Sequence, residues 1–132
     1  MAAITGGCLC GKVRFTVRDF SGGIFKCHCS KCRKAFGGAS SAAALAPEDA
    51  FEWLSGEQGV REYRASPGFL RRFCPDCGSI LPQHVADYAA WWIPAGLLDG
   101  DPGIPLKQHI HVNSKAVWEV LDEHTRQLPE GF

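Results

Sequence analysis

Alternating hydrophobic and polar positions predict short β-strands along most of the chain. Val13, Phe15 and Val17 alternate with charged or hydroxylated neighbours, which is the period-two pattern of a half-buried strand. Similar patterns or apolar runs predict further strands over residues 60–64, 69–73, 80–85, 91–93 and 109–112. The fifteen glycines and eight prolines are spread along the chain, as expected for turns between short strands. The pattern therefore predicts a mainly β fold.

One short helix is predicted between Pro47 and Gly56. Pro47 suits a first-turn position, and the acidic residues 48–49 would lie beside the positive end of the helix. Phe51 and Leu54 are three residues apart, as on one helix face, and Gly56 would end the helix. No repeat, linker or low-complexity segment interrupts the chain, so we expect a single compact domain over residues 1–132.

Composition and charge exclude some classes of partner. The 132 residues include 14 basic and 14 acidic side chains, so no net charge attracts nucleic acid or an anionic membrane. No stretch approaches the roughly 20 apolar residues of a membrane span. Residues 1–7 lack the basic segment and apolar run of a secretory signal. We therefore expect a cytoplasmic protein without nucleic-acid or membrane partners.

The cysteines carry the most specific signal in the sequence. The seven of them fall into three clusters, namely Cys8 with Cys10, Cys27 with Cys29 and Cys32, and Cys74 with Cys77. A disulfide framework favours an even number of cysteines in an exported protein, and neither condition is met here. Cysteine pairs at such short spacings beside glycine are typical of metal sites in reducing compartments. The clusters therefore predict zinc rather than disulfides.

The two outer pairs together supply four thiolates, which is a complete tetrahedral zinc shell. Cys8 and Cys10 stand among glycines that let the backbone bring both sulfurs together. Cys74 and Cys77 precede Gly78, which can adopt the left-handed conformation after a tight turn. A shared zinc would attach the N-terminal segment to a hairpin far along the chain.

The middle cluster supplies only three thiolates and leaves two alternatives open. A histidine can complete a structural site, or the fourth position stays open for water or substrate. His28 lies between ligands and is expected to point away, which leaves four eligible histidines: His84, His109, His111 and His124.

Basic residues surround the middle cluster, namely Lys26, Lys31, Arg33 and Lys34. Zinc with three thiolates carries a negative charge, which these cations would offset while they bind a carboxylated ligand. A solvated basic loop is the alternative. The aromatic residues Phe36, Trp91, Trp92 and Trp118 can line a pocket or belong to the core.

Six segments occur in an order that resembles the glutathione-dependent formaldehyde-activating enzyme family, which includes centromere protein V. They are Gly-Gly-Cys-Leu-Cys-Gly (6–11), Cys-His-Cys-Ser-Lys-Cys-Arg (27–33), Phe-Cys-Pro-Asp-Cys-Gly (73–78), Gly-Leu-Leu-Asp (96–99), His-Ile-His-Val-Asn-Ser-Lys-Ala-Val-Trp (109–118) and Leu-Pro (128–129). The resemblance therefore spans nearly the whole chain.

The resemblance implies an Mss4-like fold of twisted antiparallel sheets with zinc knuckles. It also implies two zinc ions per chain: a structural ion on Cys8, Cys10, Cys74 and Cys77, and a catalytic ion on Cys27, Cys29 and Cys32. His109 matches the His-Ile-Phe position of the family, although Phe is His111 here, and we interpret His109 as a packing residue or a residue behind the ligands.

The implied activity is that of a carbon–sulfur lyase acting on glutathione and formaldehyde. We therefore expect a zinc-dependent enzyme for a glutathione-like thiol and a small aldehyde, with Lys31, Arg33 and Lys34 as substrate-binding residues. A non-catalytic, zinc-stabilised Mss4-like binding module is the alternative. The sequence leaves the physiological thiol, the electrophile and the oligomeric state open.

Overall fold

The computed structural model describes residues 2–132, which form short strands and one α-helix. The strands are β1 (Ile4–Gly7), β2 (Arg14–Val17), β3 (Ile24–Cys27), β4 (Ser41–Pro47), β5 (Phe51–Ser55), β6 (Arg61–Ser66), β7 (Phe69–Phe73), β8 (Gln83–Val85), β9 (Ala90–Pro94), β10 (Leu106–Ile110) and β11 (Arg126–Gln127). The helix α1 spans Ser30–Phe36. Within residues 2–132, no helix is long and apolar enough to cross a membrane.

The strands form three sheets. The largest has the order β11-β10-β3-β4-β9-β8, in which β10 pairs in parallel with both β3 and β11. A three-stranded antiparallel sheet has the order β1-β2-β5, and β6 pairs with β7 as a separate antiparallel hairpin. The mainly β fold with one short helix is therefore confirmed, although one sheet is mixed.

The principal core lies between the three-stranded sheet and the largest sheet. Phe15 and Val17 of β2 and Phe51 of β5 pack in one cluster with alanines of β4 and with Ile93 of β9. Fully burying an aromatic or branched side chain contributes about 1.5–3 kcal/mol. The predicted alternation is confirmed here, because Val13, Phe15 and Val17 are all buried.

The helix predicted between Pro47 and Gly56 is wrong. Strand β4 continues to Pro47, a single 3-10 turn follows at Glu48–Ala50, and β5 begins at Phe51. Phe51 faces Val17 across the antiparallel β2–β5 pair and is buried, whereas Leu54 is largely exposed. Pairing with a strand distant in sequence thus outweighs the local helical signals.

The helix forms instead inside the middle cysteine cluster. Cys29 is its N-cap, and its sulfur accepts a hydrogen bond from the backbone N–H of Cys32. Gly37 ends the helix in the left-handed conformation, with φ of 65°, and donates its N–H to the carbonyl of Arg33. Apolar periodicity is weak in a segment of only seven residues, so the sequence pattern did not indicate it.

Three other predicted strands differ from the structure in part. Strand β6 is almost wholly exposed instead of half-buried, and it pairs only with β7, in a hairpin that joins neither of the other sheets. The segment 80–85 is a strand only over Gln83–Val85. The strand predicted over 109–112 ends at Ile110, because His111 adopts a left-handed conformation with φ of 54°.

The other two predicted strands are confirmed. The segment 69–73 is β7, and Trp91 to Ile93 lie within β9, which ends at Pro94. Ile93 is fully buried and both tryptophans are half-buried. The cysteine clusters lie at or just after the ends of β1, β3 and β7, so the strand ends determine where the sulfurs lie.

Candidate metal centres

The four outer cysteines meet in one cluster, called here the four-cysteine centre. Cys8 and Cys10 follow β1, and Cys74 and Cys77 follow β7. Their Sγ atoms all lie within 4.8 Å of one another, with Cys8 and Cys10 separated by 3.6 Å and Cys10 and Cys74 by 3.8 Å. Tetrahedral zinc with Zn–S bonds of about 2.3 Å needs sulfurs about 3.7 Å apart. The donor set and its spacing fit a tetrahedral metal ion.

Tight turns form both halves of the four-cysteine centre. Gly11 donates its N–H to the Cys8 carbonyl over 3.0 Å, and Gly78 donates to the Cys74 carbonyl over 2.8 Å. Both glycines have left-handed φ angles, of 81° and 79°, that other residues adopt only with strain. These turns direct the two cysteines of each pair towards the same side of the backbone.

Contacts between the two turns also orient the sulfurs. The hydroxyl of Ser79 accepts a hydrogen bond from the N–H of Leu9 over 3.0 Å. Beneath the sulfurs, Cys8 and Cys74 pack in a buried cluster with Val13 and Leu81. An exposed ion pair between the turns adds little, so apolar packing is the main fixed contact.

The surroundings of this centre shift the pKa values of its thiols in opposite directions. Hydrogen bonds from the Ser79 side chain and backbone lower the pKa of Cys77 to about 5. The backbone N–H of Lys12 favours the thiolate of Cys10, but neighbouring cysteines, first among them Cys8, raise its pKa to about 12. Four thiolates repel one another, and a dication removes that repulsion. The chemistry of the donors therefore also fits a metal.

The second cluster, the three-cysteine centre, lies where β3 meets α1. Cys27 is the last residue of β3, Cys29 is the N-cap of α1, and Cys32 lies in the first turn of the helix. Their three Sγ atoms lie within 4.8 Å of one another, and Cys27 and Cys32 are buried. A strand end joined directly to a helix start thus brings three sulfurs of six consecutive residues together.

Charge is divided unequally among these three thiols. A hydrogen bond with Cys27 lowers the pKa of Cys32 to about 5 despite burial, and the nearby Arg71 guanidinium acts in the same direction. The same hydrogen bond, together with burial, raises the pKa of Cys27 well above its usual range. Of these two thiols, Cys32 is the one whose surroundings favour the thiolate.

No histidine joins the three sulfurs among the described residues 2–132. His28 points away as predicted: it is fully buried, and its Nε2 lies 2.9 Å from Nδ1 of His109. His84 contacts Glu48 over 2.8 Å, and His111 only lines a cavity beside Cys27 and Cys32. This arrangement favours the open alternative over a fourth histidine ligand.

Arg71 of β7 is a site residue that the sequence analysis missed. Its terminal nitrogen Nη2 lies 3.4 Å from Sγ of Cys32. Its guanidinium lies 4.0 Å from the ring centre of Phe69 and 4.9 Å from that of Trp92. The strand alternation around Phe69–Phe73 gave no sign of this contact, because it joins residues 39 positions apart through the fold.

Two cavities adjoin the three-cysteine centre. The sulfur cavity, of about 260 Å³, is lined by Cys27, Cys32 and mainly apolar or aromatic residues, among them Trp92 and Phe132. The hairpin cavity, of about 370 Å³, lies between α1 and the β6–β7 hairpin and is lined by residues of both, including Lys31, Lys34, Ala35, Tyr63, Phe69 and Arg71. The cavity lined by the cysteine sulfurs therefore lies close to a cavity lined by basic side chains.

The remaining residues singled out from sequence lie in different places. Arg33 is not among the residues that line the hairpin cavity, because it lies on a different face of α1 from Lys31 and Lys34. Trp91 packs against the principal core and Trp118 is largely exposed. Only Trp92 and Phe36 of the four aromatic candidates stack near Arg71.

Known proteins resemble this chain in sequence or in fold. A family described as glutathione-dependent formaldehyde-activating enzyme matches residues 3–114. A relative from Halomonas elongata, named as a candidate glutathione-dependent formaldehyde-activating enzyme, is 32% identical over 134 aligned positions that cover 90% of this chain and 81% of the relative. The crystal structure of a Rhodobacter sphaeroides protein has a TM-score of 0.60 at 21% identity, over 78% of this chain and 99% of that one. This last similarity concerns the fold alone.

Proposed function

The chain belongs to the glutathione-dependent formaldehyde-activating enzyme family, and on that premise we propose that it joins a glutathione-like thiol to a small aldehyde. In the overall reaction one carbon–sulfur bond forms, the carbon–oxygen double bond becomes single, and the thiol proton ends on the oxygen. The product is an S-hydroxymethyl thioether when the aldehyde is formaldehyde. The reverse reaction makes the protein a carbon–sulfur lyase.

The observation that carries this proposal is the incomplete set of ligands at the three-cysteine centre. Three sulfurs converge there, and within residues 2–132 no further His, Cys, Asp or Glu side chain joins them. The adjoining sulfur cavity of about 260 Å³ gives a small molecule access to Cys27 and Cys32. A metal site with three protein ligands and an open position is typical of catalytic rather than structural zinc.

Zinc fits both centres by donor chemistry. Cys8, Cys10, Cys74 and Cys77 would hold a structural ion, and Cys27, Cys29 and Cys32 would hold the ion of the reaction, two per chain. A bound ion would supply Lewis acidity, which lowers the pKa of a thiol in its open position. The lowered pKa of Cys32 and the hydrogen bond from the Cys32 backbone N–H to Sγ of Cys29 would suit such an ion.

The surrounding residues position the reactants and control charge. Arg71 offsets negative charge at Cys32, and the aromatic lining of the sulfur cavity displaces water around the reacting groups. Lys31, Arg33 and Lys34 are proposed to attract the carboxylates of the thiol, with Lys31 and Lys34 closest to the hairpin cavity. We place the reaction in the cytoplasm, where cysteines remain reduced.

In the test, the protein is purified without added metal and is then incubated with glutathione and ¹³C-labelled formaldehyde. NMR follows the exchange between free formaldehyde and its glutathione adduct. The uncatalysed rate is measured in buffer, and Cys29→Ser is the matched control, since Cys29 is the half-buried ligand. We expect wild type to accelerate exchange and Cys29→Ser to match buffer.

Equal exchange with wild type and buffer, across a panel of thiols and aldehydes, would contradict the enzyme proposal. Together with two tightly held zinc ions, that result would favour the zinc-stabilised binding module. Full activity of a folded Cys29→Ser protein would instead show that the reaction does not use the three-cysteine centre.

A further inference from the structure

We propose that the hairpin cavity binds a carboxylate of the thiol substrate, and that Arg71 is the residue that recognises it. This inference rests on the proposed function and assigns a subsite to it. The substrate class it implies is a thiol with a carboxylate elsewhere in the molecule, rather than a small neutral thiol. The recognised group would lie beside the three-cysteine centre, because Arg71 contacts Cys32 directly.

The Arg71 side chain is held in one orientation by four contacts. Its Nη1 donates to the carbonyl of Leu70 over 2.7 Å, and its Nη2 donates to Sγ of Cys32 over 3.4 Å. The guanidinium also contacts the rings of Phe69 and Trp92, 4.0 Å and 4.9 Å from the ring centres. An arginine positioned in advance loses less rotamer entropy when it binds a ligand.

Arg71 has hydrogen-bond donors to spare. A guanidinium carries five N–H donors, and the contacts to Leu70 and Cys32 use two of them. Its Nε is buried and has no hydrogen-bond partner within residues 2–132. Since buried donors are normally paired, this unpaired Nε calls for an acceptor. A carboxylate matches the planar fork with two parallel hydrogen bonds.

The rest of the hairpin cavity suits the same ligand. Lys31 and Lys34 line it, and no acidic side chain is among its lining residues. Lys31 is held by a 3.0 Å hydrogen bond to Ser66 and lies 5.5 Å from the centre of the Phe69 ring. The remaining surface is mainly apolar, and the volume of about 370 Å³ is in the range of small-ligand sites.

A narrower role for Arg71 makes a different prediction. If Arg71 only offsets the negative charge of the sulfurs, its removal weakens every thiol to a similar extent. If Arg71 recognises a carboxylate, its removal weakens only thiols that carry one. The difference between charged and uncharged thiols therefore decides between the two roles.

The experiment is calorimetric titration of the purified, metal-containing protein with glutathione, with glutathione diethyl ester and with mercaptoethanol. The variants are Arg71→Met, which removes the charge, and Arg71→Lys, which keeps the charge but loses the fork. Arg64→Met is the matched control, because Arg64 is exposed on the same hairpin and does not line the cavity. Zinc content is measured for each protein as a readout independent of turnover.

We expect Arg71→Met to weaken glutathione binding at least tenfold, and to change binding of the diethyl ester and of mercaptoethanol less than threefold. Arg71→Lys should fall between wild type and Arg71→Met, and Arg64→Met should match wild type. Zinc content should stay unchanged throughout. Equal weakening of all three thiols, or no weakening of glutathione, would overturn the inference.

A second variant covers the case in which Arg71→Met does not fold. Lys34 is exposed at the cavity and makes no core contact, so Lys34→Glu should fold and should selectively weaken glutathione. Loss of that selectivity would overturn the inference. If wild type binds mercaptoethanol as tightly as glutathione, the subsite is refuted while the proposed reaction stands. Binding of no thiol at all would refute the proposed function itself.

Discussion

The two cysteine centres differ in how far apart their residues lie in the chain. The four-cysteine centre joins the segment after β1 to the segment after β7, and its Cys10–Cys74 contact spans 64 residues. The three-cysteine centre lies within one strand end and one helix turn. Closing a long loop restricts the unfolded chain more than closing a short one, although the cost grows only slowly with length. This difference supports the proposal that the first centre is structural and the second catalytic.

The surroundings of the two centres also differ. The four-cysteine centre lies over a small apolar cluster, and its contacts are between its own two turns. The three-cysteine centre adjoins two cavities and a guanidinium. A metal shell completed by four protein ligands supports structure, whereas a shell with three ligands and adjacent positive charge can bind an anionic ligand. The difference leads to four predictions.

The largest expected effect is on folding, from Cys74→Ser. Cys74 is fully buried in the four-cysteine centre. A structural zinc contributes apparent binding energies of ~10 to 16 kcal/mol, which rivals the ~5 to 15 kcal/mol stability of a whole domain. We expect an unfolded or insoluble protein, and the same for Cys10→Ser, measured by circular dichroism and soluble yield. A folded Cys74→Ser protein with a normal melting temperature would contradict a structural role for this centre.

The second-largest expected effect is that of Cys29→Ser, which should abolish activity but keep most of the fold. Cys29 is half-buried and belongs to the local centre, so its loss leaves the attachment between β1 and β7 intact. We expect loss of one zinc ion and of the reaction, with a cooperative thermal transition retained. Unfolding as complete as that of Cys74→Ser would mean that both centres are structural.

A smaller difference concerns how easily each ion is released. Elemental analysis of protein purified without added metal should give between one and two zinc ions per chain, because three ligands hold an ion less firmly than four. A limited amount of chelator should remove the first equivalent of zinc without loss of structure. A coloured zinc indicator measures the release, and circular dichroism measures the structure in the same titration. Zinc near zero, with the thiols paired as disulfides, would contradict both centres.

The smallest effect concerns the basic residues beside the three-cysteine centre. Replacing Arg33 and Lys34 together with Glu should weaken binding of glutathione at least tenfold, about 1.4 kcal/mol, and leave zinc content unchanged. Because Lys34 lines the hairpin cavity and Arg33 does not, Lys34→Glu alone should account for most of the loss. Exposed charges are screened, so the effect should shrink in high salt.

The control for this last prediction is mercaptoethanol, which carries no carboxylate. Its binding should be unchanged in the double variant. Equal glutathione affinities in wild type and the double variant would show that these side chains form only a solvated surface. A loss caused wholly by Arg33→Glu would place the anionic group on the other face of α1.

Much of the fold could be predicted from sequence because period-two alternation reflects a local constraint. Val13, Phe15 and Val17 show it and all three are buried. The Pro47–Gly56 helix was wrong because Phe51 pairs with β2, a partner that no local pattern identifies. The exposed face of β6 was missed for the same reason, since burial depends on which sheet packs against a strand.

By itself, the sequence determined which cysteines can share an ion. The spacings of Cys27, Cys29 and Cys32 restrict their sulfurs to one short segment, and the two outer pairs supply the only other thiols. Covalent distance along the chain imposes the grouping within each cluster before any folding. The meeting of the two outer pairs depends on the fold, because Cys10 and Cys74 are 64 residues apart.

Only the tertiary structure decided what surrounds the sulfurs. The contact of Arg71 with Cys32, the pairing of His28 with His109 and the two cavities all join residues far apart in sequence. Such contacts depend on strand register, where a shift of one residue turns every side chain to the opposite face. The sequence thus determined the donor groups, and the packing of β7 against α1 decided which charge lies beside them.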